Sequence, residues 1–290
     1  LRPGRHAHDE RRVLEVGRLA DLAVAEVAVD VLDVGVLKLP GQDLQVQQAL
    51  ESGEPRQGVG RGGQLLQGLP RGLHARVEAL RHGVQRLRAA GVASPEWDAR
   101  IMAAHLIHCG HMDIPLDQSP MPGFDVAFDA LLRRREAREP LQYVLGSAWF
   151  GPLELKVGPG VFIPRPETEV MADWAVHHAP GPRMVDLCSG SGALALYFQH
   201  YVPQAEVRAV ELSDAALEFT LSNTRGTRVE VVQADATDGH VLEDWNGTVD
   251  LVLTNPPYVP EDPNLQPEVY HDPLLAVFGG DDGMGVIGGL

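Results

Sequence analysis

The tetrapeptide Asn255-Pro256-Pro257-Tyr258 has the residue types needed to hold a planar nitrogen while it is alkylated. An amide or aromatic-amine nitrogen is a poor nucleophile, because its lone pair is delocalised. To attack a methyl sulfonium it must be turned until that lone pair faces the methyl group. The Asn255 side-chain oxygen and the Pro256 carbonyl can accept its N–H groups, and two successive prolines keep these acceptors preorganised. Tyr258 can stack on the planar group. Asn255, Pro256 and Tyr258 are therefore the catalytic candidates, and Asn255, Pro256, Pro257 and Tyr258 the substrate-binding ones. Taken alone, the tetrapeptide is also what a strand ending in a proline turn looks like.

Three features upstream would give this site a donor. Asp186-Leu187-Cys188-Ser189-Gly190-Ser191-Gly192 joins an expected strand to an expected helix. Small residues there let a ligand approach the backbone, and the helix N-terminus offers free N–H groups. The same run would serve an ordinary tight turn. It is not a G-x-G-x-x-G fingerprint, since Leu194 and Ala195 follow Gly192, and it has no phosphate-loop lysine. Glu211 ends the next expected strand, about twenty residues on, where an acid can accept from the two ribose hydroxyls of an adenosine. Asp235, followed by Ala236, ends the strand after that and can accept from an adenine amino group. Alone, Glu211 reads as a surface acid and Asp235 as a loop acid.

The elements that must position these residues follow from periodicity. Beyond Pro182 strands and helices alternate, which predicts a parallel α/β sheet. Strands are expected at Met184–Leu187, Val207–Leu212, Val229–Gln233 and Val249–Thr254, with helices ending at Tyr201 and over Asp214–Asn223. From His74 to about Leu145 the pattern is helical: Val77, Leu80, Val84 and Leu87 recur at spacings of three and four, and Gly91 ends that helix. Ser94 is the expected N-cap of a second helix with Pro95 in its first turn, and a third runs from about Phe124 to Arg138. Between these regions one strand is expected over Trp149–Val157, a turn at Gly158-Pro159-Gly160, and a helix after Glu169. The domains are thus 1–73, 74–146 (helical), 147–163 (linker hairpin) and 164–290.

Bulk properties narrow the class. The 290 residues carry 24 basic and 40 acidic side chains, a net charge of -16. Residues 74–290 hold 15 of the basic and 30 of the acidic ones. An acidic body weighs against DNA or RNA as the main ligand and suits a basic protein partner. No run is apolar for the length of a membrane span; Leu19–Leu39 is interrupted by Asp21, Glu26, Asp30 and Asp33. Cys109 and Cys188 are far apart in unlike contexts, which is no disulfide framework and points to the reducing cytoplasm. His105, His108, Cys109 and His111 are read as helix-surface residues, so no metal is expected. Arg133-Arg134-Arg135 with Arg138 is expected to be a solvated helix face.

Residues 1–73 lack Ile, Phe, Tyr, Trp, Met, Cys, Asn and Thr, and Lys38 and Ser52 are the only members of their types. The ten residue types that dominate can all be written with codons beginning in G or C. A GC-rich gene translated out of frame has this composition; a low-complexity extension is the other reading. Neither predicts firm packing.

Beyond residue 76 the chain resembles the release-factor glutamine methyltransferases, which modify the glutamine of a Gly-Gly-Gln motif in class I peptide chain release factors. The likeness rests on Pro140-Leu141-Gln142-Tyr143-Val144-Leu145-Gly146, on Phe162-Ile163-Pro164-Arg165-Pro166-Glu167-Thr168-Glu169, on the Gly-rich loop and on Asn255–Tyr258. It implies a Rossmann-like class I methyltransferase domain behind a small helical substrate-binding domain. It implies that S-adenosyl-L-methionine lies on Asp186, Cys188, Ser189, Gly190, Ser191, Gly192, Glu211, Asp235, Ala236 and Asn255, and that Asn255–Tyr258 bind glutamine. A release factor as protein partner, a single copy of the chain, and no DNA or membrane partner go with it. There are two departures. Cys188 stands where the family's loop often has Gly, with tolerance expected. The family's sheet has seven strands and this chain supplies four, so a C-terminally incomplete domain is expected. A non-catalytic fragment of a defective gene and an adenine-N6 DNA methyltransferase are the competing readings.

Overall fold

The computed structural model describes residues 71–115, 121–261 and 265–290, with side chains from residue 76 onward. The expectation for residues 1–73 lies outside the described residues, apart from 71–73, which open the first helix.

Four helices come first: α1 (Arg71–Ala89), α2 (Pro95–Leu106), α3 (Phe124–Glu136) and the short α4 (Leu141–Leu145). Gly91, at φ +74°, stops α1, and the Val92 N–H donates back to the Leu87 carbonyl. Ser94 precedes α2 but its hydroxyl makes no capping bond. That start rests instead on Pro95 at the first helical position and on Glu96 and Asp98, whose charges complement the helix dipole. Val84, Leu87, Met102, Phe124, Phe128 and Leu132 form the core of this region. Gly83 lets α1 approach α3: a Cβ there would lie 3.1 Å from the Phe128 ring.

The arginine run is a solvated face only in part. Arg135 is buried, donating to Asp98 Oδ2 at 2.7 Å and to Glu268 Oε1 at 3.2 Å. Arg138 meets both Glu268 oxygens at 2.7 Å. Arg134 donates to Glu139 and to the Tyr143 and Val144 carbonyls. Arg133 stays largely in solvent, and the Arg134 side chain is 43% exposed. A periodicity argument fails here because the acids that draw these arginines inward lie 37 and 133 residues away. Burial pushes the Asp98 carboxyl above its usual range, and the Arg135 guanidinium opposes that shift. Arg135→Ala leaves Asp98 buried without its cation and is expected to cost about 3–5 kcal/mol in urea unfolding. A loss below about 1 kcal/mol, the scale of an exposed pair, would mean that the pair is not buried in solution.

The hairpin between the two regions differs from expectation. It consists of β1 (Ser147–Phe150) and β2 (Leu153–Lys156), antiparallel, with Phe150 opposite Leu153. The turn is Gly151-Pro152: Gly151 takes φ +53°, and Pro152 cannot donate to a ladder. Residues 158–163 form no strand, although Val161 and Ile163 are buried. Helix α5 (Pro166–His178) begins inside the Pro-Arg-Pro-Glu-Thr-Glu stretch, not after it, because Pro166 suits the first helical position.

The sheet is parallel, in the order β5-β4-β3-β6: Val229–Gln233, Glu206–Glu211, Arg183–Leu187 and Leu251–Thr254. Helices α6 (Ala193–Tyr201) and α7 (Asp214–Asn223) make the crossovers. Every residue of α6 from Ala193 to Gln199 is buried, which anchors the core against β3 and β4. The chain leaves β3 toward β4 on one side, and β6 returns on the other. A sheet that reverses its order at β3 opens a crevice beyond the carboxyl ends of its strands. Among the described residues β6 is an outer strand, with Val252 52% exposed.

Candidate active site

The loop after β3 is built from left-handed residues: Cys188 at φ +59°, Gly190 at +56° and Gly192 at +79°. Two glycines meet that demand at no steric cost, whereas Cys188 carries a Cβ into a region that costs an L-residue about 1–2 kcal/mol. This explains in backbone terms why glycine suits position 188. Burial pushes the Cys188 thiol up to about 11, so it is neutral at neutral pH. The loop is held from α7. The Thr220 hydroxyl donates to the Gly190 carbonyl at 2.6 Å, and Asn223 Nδ2 donates to the Ser191 carbonyl at 2.9 Å. Asn223 also pairs with the backbone of Lys156, tying the hairpin to the loop. Sequence reasoning missed Thr220 and Asn223; two polar residues three apart on a crossover helix were the available signal.

A cavity of about 400 Å³ lies at the carboxyl ends of β3–β6. Asp186, Cys188, Ser189, Gly190, Ser191, Glu211, Asp235, Ala236, Asn255 and Pro257 line it. Gly192 is not on its wall and instead precedes α6 at the cap position. Pro256 and Tyr258 also stay off the wall, and Tyr258 is 59% exposed. Further lining comes from Phe162, Pro164 and Thr168, from Pro273, Leu275 and Ala276, and from Gly285 and Val286, among others.

Three carboxylates set the electrostatics. Asp186 is buried; its Oδ2 accepts from the Ala195 N–H at 3.1 Å, and its Oδ1 has no partner. Burial pushes this carboxyl up to about 8, the Ala195 N–H opposes the shift, and the Glu211 charge adds to it. Glu211 uses both oxygens on backbone, accepting from the Gly190 N–H at 2.7 Å and the Ser213 N–H at 2.8 Å. Each carboxylate oxygen keeps a second lone pair, so Glu211 remains able to accept from a ligand. Asp235 accepts from the Thr237 hydroxyl at 2.7 Å and its N–H at 2.9 Å, and these bonds hold it below the usual carboxylate range. It is therefore an anion at neutral pH.

Residues outside the initial candidates fix the far wall. Asp272 is buried, accepts from the Tyr143 hydroxyl at 3.1 Å, and is paired with Arg165. The single Tyr143 O–H is shared between this acid and the nearer Val161 carbonyl, 2.5 Å away. Arg165 lies 4.9 Å over the Phe162 ring. The Tyr143 and Arg165 stretches, 22 residues apart, thus converge on one acid that precedes the wall residue Pro273. Among the described residues no three His, Cys, Asp or Glu side chains are placed to hold a metal ion, and His111 instead meets the Trp97 ring edge-on at 4.7 Å.

A parallel sheet with a small-residue loop after one strand, an acid after the next and an Asn-Pro-Pro turn after another defines an α/β methyltransferase. Residues 167–272 match the family model described as "Methyltransferase small domain", and residues 78–146 match "PrmC N-terminal domain". A release factor glutamine methyltransferase of Corynebacterium glutamicum is 52% identical over 72% of this chain and 77% of its own length. One from Mycolicibacterium smegmatis is 50% identical over 72% and 75%. A 4-amino-L-phenylalanine/4-methylamino-L-phenylalanine methyltransferase of Streptomyces pristinaespiralis is 38% identical over 73% and 75%. The chain belongs to the release factor glutamine methyltransferase family.

Proposed function

We propose that this enzyme transfers the methyl group of S-adenosyl-L-methionine to the side-chain amide nitrogen of the glutamine in the Gly-Gly-Gln motif of class I release factors. The observation that carries the reading is the placing of Asn255 and Pro257 on the same cavity as Asp186, Glu211 and Asp235. The cavity volume of about 400 Å³ suits a nucleoside joined to an amino acid.

The residues present fit that cofactor. The partnerless Asp186 Oδ1 and Ser189 Oγ are buried polar atoms that an amino-acid ligand would satisfy. In this reading Glu211 accepts from the ribose hydroxyls and Asp235 from the adenine amino group, with Gly190 on the same wall. When bound, the cofactor supplies a methyl group on a positively charged sulfur. The protein's part is to orient and desolvate. Asn255 and the Pro256 carbonyl accept the amide N–H groups, Pro257 stiffens the turn, and Tyr258 stacks on the amide. As the nitrogen gains its fourth bond and the methyl–sulfur bond breaks, the same acceptors stabilise the developing charge on its N–H groups, and one of these protons leaves to solvent to give the neutral N-methyl amide.

The helical region (74–146) is proposed to hold the release factor, with 147–163 as the link to the methyltransferase region from 164 onward. No helix among the described residues is long and apolar enough to cross a membrane, and a cytoplasmic, single-copy enzyme suits a substrate of translation. The 30 acidic against 15 basic side chains of residues 74–290 disfavour DNA as substrate. The test uses cofactor labelled in its methyl group, with a class I release factor, the same factor with the motif glutamine replaced by alanine, and duplex DNA. Label is expected on the first alone. Equal label on the alanine variant, or label on DNA, would overturn the proposal.

A further inference from the structure

The glycine-rich turn after Phe278 lies against the back of the Asn255–Tyr258 tetrapeptide. The Val259 N–H donates to the Val277 carbonyl, and the Gly279 N–H to the Val259 carbonyl, both at 3.0 Å. Val259 and Phe278 thereby form a parallel bridge. Contact between backbones is closest at two glycines. A Cβ on Gly279 would lie 2.6 Å from both the Pro257 and the Gly283 carbonyl oxygens, and one on Gly283 would overlap the Tyr258 carbonyl oxygen. Carbonyl oxygens of a rigid turn cannot rotate away as a flexible side chain can. Gly285, whose N–H returns to the Gly279 carbonyl at 2.8 Å, continues into the cavity wall with Val286.

We propose that Gly279 and Gly283 are positioning residues for methyl transfer. Their bare backbones set the depth at which Pro257 and Tyr258 sit, and so the aim of the Asn255 and Pro256 acceptors. This rests on the role proposed above for the tetrapeptide. A shift of the acceptors by about 1 Å is enough to cost about 10²-fold in rate.

Gly280 supplies an internal control. Its φ of +86° is as left-handed as the +76° of Gly283, yet a Cβ on Gly280 meets nothing within 4 Å. Gly280→Ala therefore carries the backbone strain without the push. Gly279, outside the left-handed range, carries the push without the strain.

The experiment compares Gly279→Ala, Gly280→Ala and Gly283→Ala in the full chain by three measurements. These are urea stability, ¹⁵N–¹H spectra of the ligand-free protein, and kcat and KM with release factor. Gly279→Ala and Gly283→Ala are expected to move the Tyr258 and Val259 amide and Asn255 side-chain signals. Their kcat is expected to fall about 10- to 100-fold, with Gly280→Ala near wild type in both. If kcat loss follows stability loss across all three, or the Asn255 signals stay in place in Gly279→Ala and Gly283→Ala, the positioning role is wrong. The spectra need no substrate, so they decide the geometry even if the wild-type enzyme fails to methylate release factor, a result that would instead sink the proposed activity.

Discussion

Asn255→Ala is expected to lower methyl transfer by about 10²–10³-fold in kcat, the cost of removing one preorganised partner of a developing charge. The effect should fall on kcat, because the acceptor matters most when the amide nitrogen is forming its new bond. Asn255 is the first residue after β6, and Thr254 beside it is fixed by a 2.8 Å hydrogen bond from its hydroxyl to the Leu187 carbonyl. The backbone therefore stays in place when the side chain is cut, and folding stability should change little. Steady-state kinetics with saturating cofactor, beside a urea titration of both proteins, separates these effects. A fall below about ten-fold in kcat would mean that other groups orient the nitrogen.

The second large effect concerns Asp186. Its carboxyl is pushed up to about 8 by burial in the ligand-free protein. A cationic amino group on the ligand requires it ionised, so below pH 8 binding must expel a proton. Cofactor affinity should rise by up to about ten-fold per pH unit from pH 6 toward 8, then fall as the ligand's own α-amino group, with a pKa near 8, loses its charge. Asp186→Asn should remove the acid limb and weaken binding at pH 8 by about 100-fold, as expected for a buried charge pair. The same variant should stabilise the ligand-free fold. A carboxyl raised from about 4 unfolded to about 8 folded stabilises below pH 4, and that contribution is lost as pH rises through 8. Near pH 8 the asparagine protein should therefore be the more stable by roughly 1–3 kcal/mol. Equilibrium dialysis from pH 6 to 9 and urea unfolding at pH 5 and 8 test both halves. A flat affinity profile in the wild-type protein would contradict the assignment.

Strand and helix order from Pro182 onward was readable because parallel strands buried on both faces are short apolar runs between turn residues. Val229–Gln233 and Asp214–Asn223 have the expected bounds, and the other strands differ by one or two residues. The candidate loop, Glu211, Asp235 and Asn255 are legible because each stands at or within two residues past a strand end, and strand ends face the crevice. What stayed hidden depends on distant pairing. Neither Asp272 nor Glu268 stands out locally, yet each gathers side chains more than 100 residues away. Gly279 and Gly283 read as a loose tail, since nothing local reveals that their missing side chains make room for Pro257 and Tyr258. The Gly151-Pro152 turn does not stand out, because the apolar residues on both sides look like one continuous strand.

Every assignment at this site requires that the cavity beyond β3 and β4 takes the sulfonium donor. Titration calorimetry of the full chain with S-adenosyl-L-methionine near pH 8 measures that binding without any release factor present. Saturable binding at one site per chain is expected, weakened together by Asp186→Asn and by Glu211→Ala. Absence of heat and of any shift in melting temperature, with the protein folded, would contradict it.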